Sequence, residues 1–86
     1  MAYDRVVLVH GGMLGSWCWE KVLPLLGCDV VAVDLPGRSG AAPIPATFHN
    51  WVDTVIRATA GKSLIVAHSL GGLVAVAAAS RASDRV

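Results

Sequence analysis

Charge and aromatic side chains are both scarce in this sequence. Only 15% of its 86 residues are Asp, Glu, Lys or Arg, and they nearly cancel to a net charge of +1. There is no basic cluster and no interleaving of aromatic residues with Arg, so the chain lacks the electrostatic footprint of a nucleic-acid or anionic-membrane binder. A long uninterrupted apolar run is missing too. The longest stretch without formal charge in the C-terminal third, residues 63–80, is broken by His68, by serines and by a Gly-Gly pair, which suits strand, turn and helix rather than a membrane span of ~20 apolar residues. The N-terminus, MAYDRVVLVHGG, has an acid near its start and too short an apolar stretch for a signal peptide, so a cytoplasmic setting is expected. Cys18 and Cys28 are the only cysteines. In a non-secreted chain they read as two free thiols. The His and Cys spacings match no ligand pattern, so neither a metal nor a cofactor is expected.

What the sequence does have is hydrophobicity, 55% of its residues, more than is usual for so short a chain. It is concentrated in three short runs, residues 6–9, 30–33 and 64–67. They are rich in β-branched residues and do not alternate with polar ones, the pattern of parallel strands buried on both faces. Between the first two runs lies SWCWEKVLPLLG, where Ser16 predicts an N-cap, Trp19, Val22, Leu23 and Leu26 share a helical face, Gly27 ends the helix and Pro24 kinks or shortens its last turn. Thr47 predicts the cap of a second helix, whose Phe48, Trp51, Val52, Val55 and Ile56 fall at i, i+3, i+4, i+7 and i+8, opposite His49, Asn50, Asp53 and Arg57. The segment ahead of it, DLPGRSGAAPIP, has three Pro, two Gly and no periodicity and reads as a loop. Residues 70–79 are apolar all round and predict a buried helix packed on a sheet. The resulting order, β-α-β-α-β-α, implies an α/β fold: a parallel sheet with flanking helices and right-handed crossovers.

The chemistry centres on AHSLGG, residues 67–72, which stand at a strand end and a helix start. That is the context the nucleophile-elbow pattern G-x-S-x-G requires. In such an elbow the chain turns sharply so that the Ser69 oxygen stands clear of the sheet. The residues two before and two after the Ser must be small, because strand and helix backbones nearly touch there. Gly71 meets that demand, and Ala67 replaces the first Gly with one extra methyl group. The bland alternative is a Ser that caps a helix at an ordinary βα turn. A second feature favours the elbow: the first strand ends in HGG, and an elbow takes one oxyanion-stabilising N–H from the loop after that strand and one from the residue following the Ser. Here those donors are the backbone N–H groups of Gly12 and Leu70, the latter at the positive end of the last helix.

Through VLVHGGMLGSWCW, VVAVDLPGRSG and LIVAHSLGG, in this order and spacing, the chain resembles the α/β-hydrolase superfamily over essentially all of its length. HGGMLGSWCW is most similar to the branch of plant-type methylesterases and hydroxynitrile lyases, and DLPGRSG to bacterial esterases. The resemblance implies acyl transfer from a small-molecule ester, with Ser69 as nucleophile. Ser hydroxyls need a His to accept the proton and an acid to orient that His, and in this fold both follow the Ser. After Ser69 there is no His, and the only acid is Asp84. Residues 1–86 therefore read as the N-terminal part of a single α/β-hydrolase domain, ending before its triad is complete.

The local histidines have quieter readings. His68 is next to Ser69 in sequence, but neighbouring side chains diverge at a sharp turn, so a structural role is expected. His10 is expected to order the HGG loop through backbone hydrogen bonds and His49 to be solvated on a polar helix face. Asp34 is expected to fix the DLPG turn. Two rivals remain in view. One is a catalytically silent hydrolase-like chain that binds a ligand. The other is a dinucleotide-binding βαβ unit, in which VVLVHGGMLGSW would hold phosphate and Asp34 would hold ribose. The second fits poorly, since G-x-G-x-x-G needs a Gly at the position of His10 and leaves AHSLGG without a purpose.

Overall fold

The computed structural model describes residues 3–37, 41 and 43–84. The three β-branched runs form strands β1 (Arg5–Val9), β2 (Val30–Ala32) and β3 (Ser63–Ala67). They make one parallel sheet in the order β2-β1-β3, with Val7 opposite both Val31 and Ile65. Strand β1 is central, and Val6, Val7, Leu8 and Val9 are all buried. Its side chains are covered on both faces, which is why its sequence does not alternate.

Helix α1 (Phe48–Ala58) begins where Thr47 predicts, with the Asn50 N–H donating to Thr47 Oγ1 at 3.1 Å. Val52 and Val55 are fully buried on its inner face, Trp51 and Ile56 partly so, and Phe48 at its first turn is half exposed. Helix α2 (Leu70–Arg81) packs beside α1, and Val52, Val55, Val74 and Ala78 close over Val7 and Val9 to form the core. Burying each such Val contributes roughly 1.5 to 3 kcal/mol.

Two elements differ from expectation. SWCWEKVLPLLG is not an α-helix but two short 3₁₀ turns, Ser16–Trp19 and Leu23–Leu25. Pro24 is one cause: it cannot donate to the carbonyl an α-helix would offer it, and it takes an early position in the second turn instead. Ser16 is not the N-cap. Gly15 holds that place without a side-chain bond, and the Ser16 hydroxyl is engaged with Asp34. Helix α2 is also not buried all round. Gly71, Val74 and Ala78 face the core, while Leu73 and Val76 are 64% and 71% exposed. A three-stranded sheet offers α2 only one apolar neighbour face, so a helix with no polar side leaves the other uncovered. The expected loop is irregular at residues 34–37 and 43–45. Its residues 38–40 and 42 lie outside the described residues.

The strand order positions the site. From β1 the chain crosses to β2 on one side and then back past β1 to β3 on the other. Two right-handed connections running in opposite directions lie on opposite faces of the sheet. The crevice beyond the carboxyl ends of β1 and β3 is the resulting switch point, the place where open parallel sheets hold ligands. The HGG turn and Ser69 both stand there.

Candidate active site

Past Ala67 the chain keeps its register for one more residue, with the His68 N–H donating to Val9 O at 3.1 Å. Ser69 then turns sharply, with φ 55° and ψ −122°. A side chain in this region is strained by about 1 to 3 kcal/mol. Backbone bonds from the Gly71 N–H to His68 O (3.0 Å) and from the Gly72 N–H to Ser69 O (2.8 Å) close the turn into α2. Ser69 occupies the N-cap position of α2, yet its side chain makes no capping hydrogen bond, and the residue is exposed. An ordinary capping Ser has relaxed, extended backbone and a hydroxyl bonded to the helix. Ser69 has neither.

The small residues have measurable reasons. A Cβ on Gly71 would stand 2.6 Å from His10 O and 2.8 Å from Val9 O, so the first turn of α2 presses directly on the end of β1. Ala67, two residues before the Ser, is partly buried against the core. A Cβ on Gly11 would meet His68 Nδ1 at 2.8 Å and Ser69 Cβ at 3.2 Å, and one on Gly12 would meet Leu70 Cδ2 at 3.4 Å. The HGG turn therefore lies against the elbow, with Gly12 beside Leu70. As the first residue of α2, Leu70 has an N–H without an intrahelical acceptor, at the positive end of the helix.

Each remaining candidate has an identifiable task. His10 is buried, with Nδ1 2.8 Å from Gly11 O and Nε2 accepting from the Leu35 N–H at 3.0 Å. The proton is therefore on Nδ1, and both nitrogens are occupied in ordering the loops, as expected. His49 is exposed on α1, with Nε2 3.2 Å from Asp53. His68 is exposed and leans against the Gly11 side of the elbow. Asp34 also reaches the loop after β1. Its Oδ1 accepts from the Ser16 N–H at 2.7 Å and its Oδ2 from the Ser16 hydroxyl at 2.8 Å. Hydrogen bonds to a charged partner contribute about 1.5 to 3 kcal/mol each, less where solvent reaches them. Both oxygens thus already serve Ser16, whereas the dinucleotide reading would have them hold ribose.

Two cavities flank the elbow. One of about 390 Å³ opens beside Gly12 and Leu70, with walls from Met13, Leu35, Pro36 and Trp51. The other, about 210 Å³, is bounded by Leu14, Cys18, Trp19 and His68. Burial pushes the Cys18 thiol above its ordinary value; its backbone hydrogen bond works against this, and the nearby Asp34 charge adds to it. Sequence reasoning missed Met13, whose φ of 65° turns the chain just after Gly12 and leaves the side chain 81% exposed at the cavity. Met does not favour that backbone region, so nothing local announces it. Trp51, assigned to the core by its periodicity, also walls the cavity and donates its indole N–H to Pro36 O at 2.8 Å. Among the described residues no cluster of three or more His, Cys, Asp or Glu is placed to hold a metal, and no helix is long and apolar enough to cross a membrane.

The chain is 33% identical to methylesterase 8 of Arabidopsis thaliana, across all of this chain and 36% of the relative. It is 38% identical to polyneuridine aldehyde esterase of Rauvolfia serpentina, over 78% of this chain and 30% of that protein. It is 41% identical to the pimeloyl-[acyl-carrier protein] methyl ester esterase of Shewanella woodyi, over 96% of this chain and 33% of that one. The chain thus spans about a third of the length of the curated relatives it matches. No solved structure matches it at a significant level. The model of the alpha/beta hydrolase family matches residues 6–86, which takes in both the HGG turn and the elbow, and the chain belongs to that family.

Proposed function

We propose that this chain carries the nucleophile and the oxyanion hole of a serine esterase. The observation that carries the reading is the backbone of Ser69, held at φ 55° with its hydroxyl withheld from the helix and its turn lying against Gly11 and Gly12. In the reaction, Ser69 Oγ forms a bond to the ester carbonyl carbon, and the carbonyl π pair moves onto oxygen. The N–H groups of Gly12 and Leu70 stabilise that oxyanion. Collapse of the intermediate expels the alcohol, which takes up the proton removed from Ser69, and water then releases the acid from the acyl-enzyme. The proton relay is a His oriented by an acid. His10 has both nitrogens engaged, His49 is on the outer face of α1, and the His68 ring lies against Gly11, so we assign the relay to hydrolase length this chain does not span, after the Ser in chain order. The substrates are small carboxylic esters; the relatives' descriptions name a methylesterase and a methyl ester esterase. The apolar cavity beside Gly12 offers room for an uncharged acyl or alkoxy group. Two free thiols suit a cytoplasmic setting.

The test is turnover of p-nitrophenyl acetate and butyrate by a polypeptide carrying these residues in a complete hydrolase domain. Ser69→Ala removes turnover. Gly12→Pro, which deletes one backbone donor, lowers kcat by about 100- to 1,000-fold at an unchanged Tm. Full activity in Ser69→Ala would refute the reading.

A further inference from the structure

The loop that presents Gly12 is held out of its relaxed shape. Met13 sits at φ 65°, a region that side chains other than Gly avoid, and the backbone bond closing this turn, from the Leu14 N–H to Gly11 O, is long at 3.3 Å. The loop is also fixed at its two ends. At one end His10 is buried and tied to the Leu35 N–H. At the other, Ser16 gives both its N–H and its hydroxyl to the two oxygens of Asp34. Gly15 lies so close to that carboxylate that a Cβ there would stand 3.2 Å from Asp34 Oδ1. Asp34 and Leu35 are consecutive residues just beyond β2, so residues 10–16 are strapped at both ends to one dipeptide.

We propose that Asp34 is a positioning residue for the oxyanion donor Gly12, acting through Ser16. This rests on the reading of Gly12 as a donor. A positioning role differs from simple capping of the 3₁₀ turn at Ser16–Trp19 in its consequence for Gly12. A cap stabilises the turn that begins at Ser16, whereas a strap fixes the direction of an amide four residues before it.

The test uses four versions of a complete hydrolase domain carrying these residues: wild type, Asp34→Ala, Asp34→Asn and Ser16→Ala. In Asp34→Ala both bonds vanish, and kcat for p-nitrophenyl acetate falls about 10- to 100-fold with KM changed less than about twofold, because the lost geometry matters mainly in the transition state. Asp34→Asn keeps an oxygen for the Ser16 N–H and an amide for its hydroxyl, and it recovers most of that loss. Ser16→Ala removes one bond only and costs about 3- to 10-fold. If Asp34→Ala fails to fold, Ser16→Ala with a retained Tm decides the matter, and an unchanged kcat in it overturns the proposal. The second readout needs no turnover. In ¹⁵N spectra of the same complete domain, Asp34→Ala shifts and broadens the Gly12 and Met13 amides, whereas an unmoved Gly12 amide overturns the strap even if activity falls. Should wild type show no Ser69-dependent turnover, the esterase reading fails, and the amide spectra still judge the strap separately.

Discussion

At the scale of single residues, strain and close approach mark the site better than charge does. Ser69 has an unfavourable backbone and no capping bond to compensate, so relieving it stabilises the fold while removing the proposed nucleophile. Ser69→Gly is expected to stabilise by about 1 kcal/mol, a rise in Tm of roughly 4 to 8 °C for a domain of this size. A Tm at or below wild type would show that the turn is not strained. Gly71→Ala behaves oppositely. Its methyl group meets backbone oxygens at 2.6 and 2.8 Å, which cannot rotate away, so we expect a loss of at least about 2 kcal/mol, read from urea midpoints. Both residues are legible in AHSLGG, because the elbow's sharp turn dictates small neighbours. The tasks of Asp34 and Met13 are not. Asp34 meets a residue 18 positions earlier, and Met13 takes a backbone region its side chain does not prefer; neither fact has a local sequence signal.

At the scale of elements, a pattern is readable where one physical cause dominates. Helix α1 has a period, a cap and one buried face, and all three agree. Thr47→Ala removes the bond to the Asn50 N–H and should cost about 1 kcal/mol by thermal melting, with no effect on the elbow. The crossover from β1 to β2 misleads because its apolar spacing suits a helix while Pro24 and the pull of Asp34 on Ser16 do not. That same crossover carries Cys18, whose thiol burial pushes above its ordinary value of 9.0. A thiol with a raised folded value favours its neutral form. Its contribution is fully present below the unfolded value and is lost as pH rises through the folded one. Stability measured by urea should therefore decline above pH 9, and Cys18→Ala should flatten that decline. An identical alkaline limb in the variant would contradict the assignment.

At the scale of the whole molecule, the parallel sheet and its order follow from three β-branched runs and the rules of crossover, but its extent does not. Among the described residues strand β3 pairs on one side only, and Leu64 and Val66 on it, like Leu73 and Val76 on α2, are more than a third exposed. An apolar edge of this kind invites association. The chain on its own should sediment as oligomers, and Leu73→Lys with Val76→Glu should shift it toward monomer. A monomeric wild type would contradict that expectation. Charge count and composition say nothing about where chemistry would occur; the proposed site is the meeting of the HGG turn with the turn at Ser69, at the ends of β1 and β3. The most direct measurement of that claim is fluorophosphonate labelling of a complete hydrolase domain carrying these residues, with the label located by mass spectrometry. Tryptic cleavage after Lys62 and Arg81 isolates residues 63–81, which contain Ser63, Ser69 and Ser80. The label should fall on Ser69 and vanish in Ser69→Ala; label on Ser63 or Ser80, or labelling that persists in Ser69→Ala, would contradict the account.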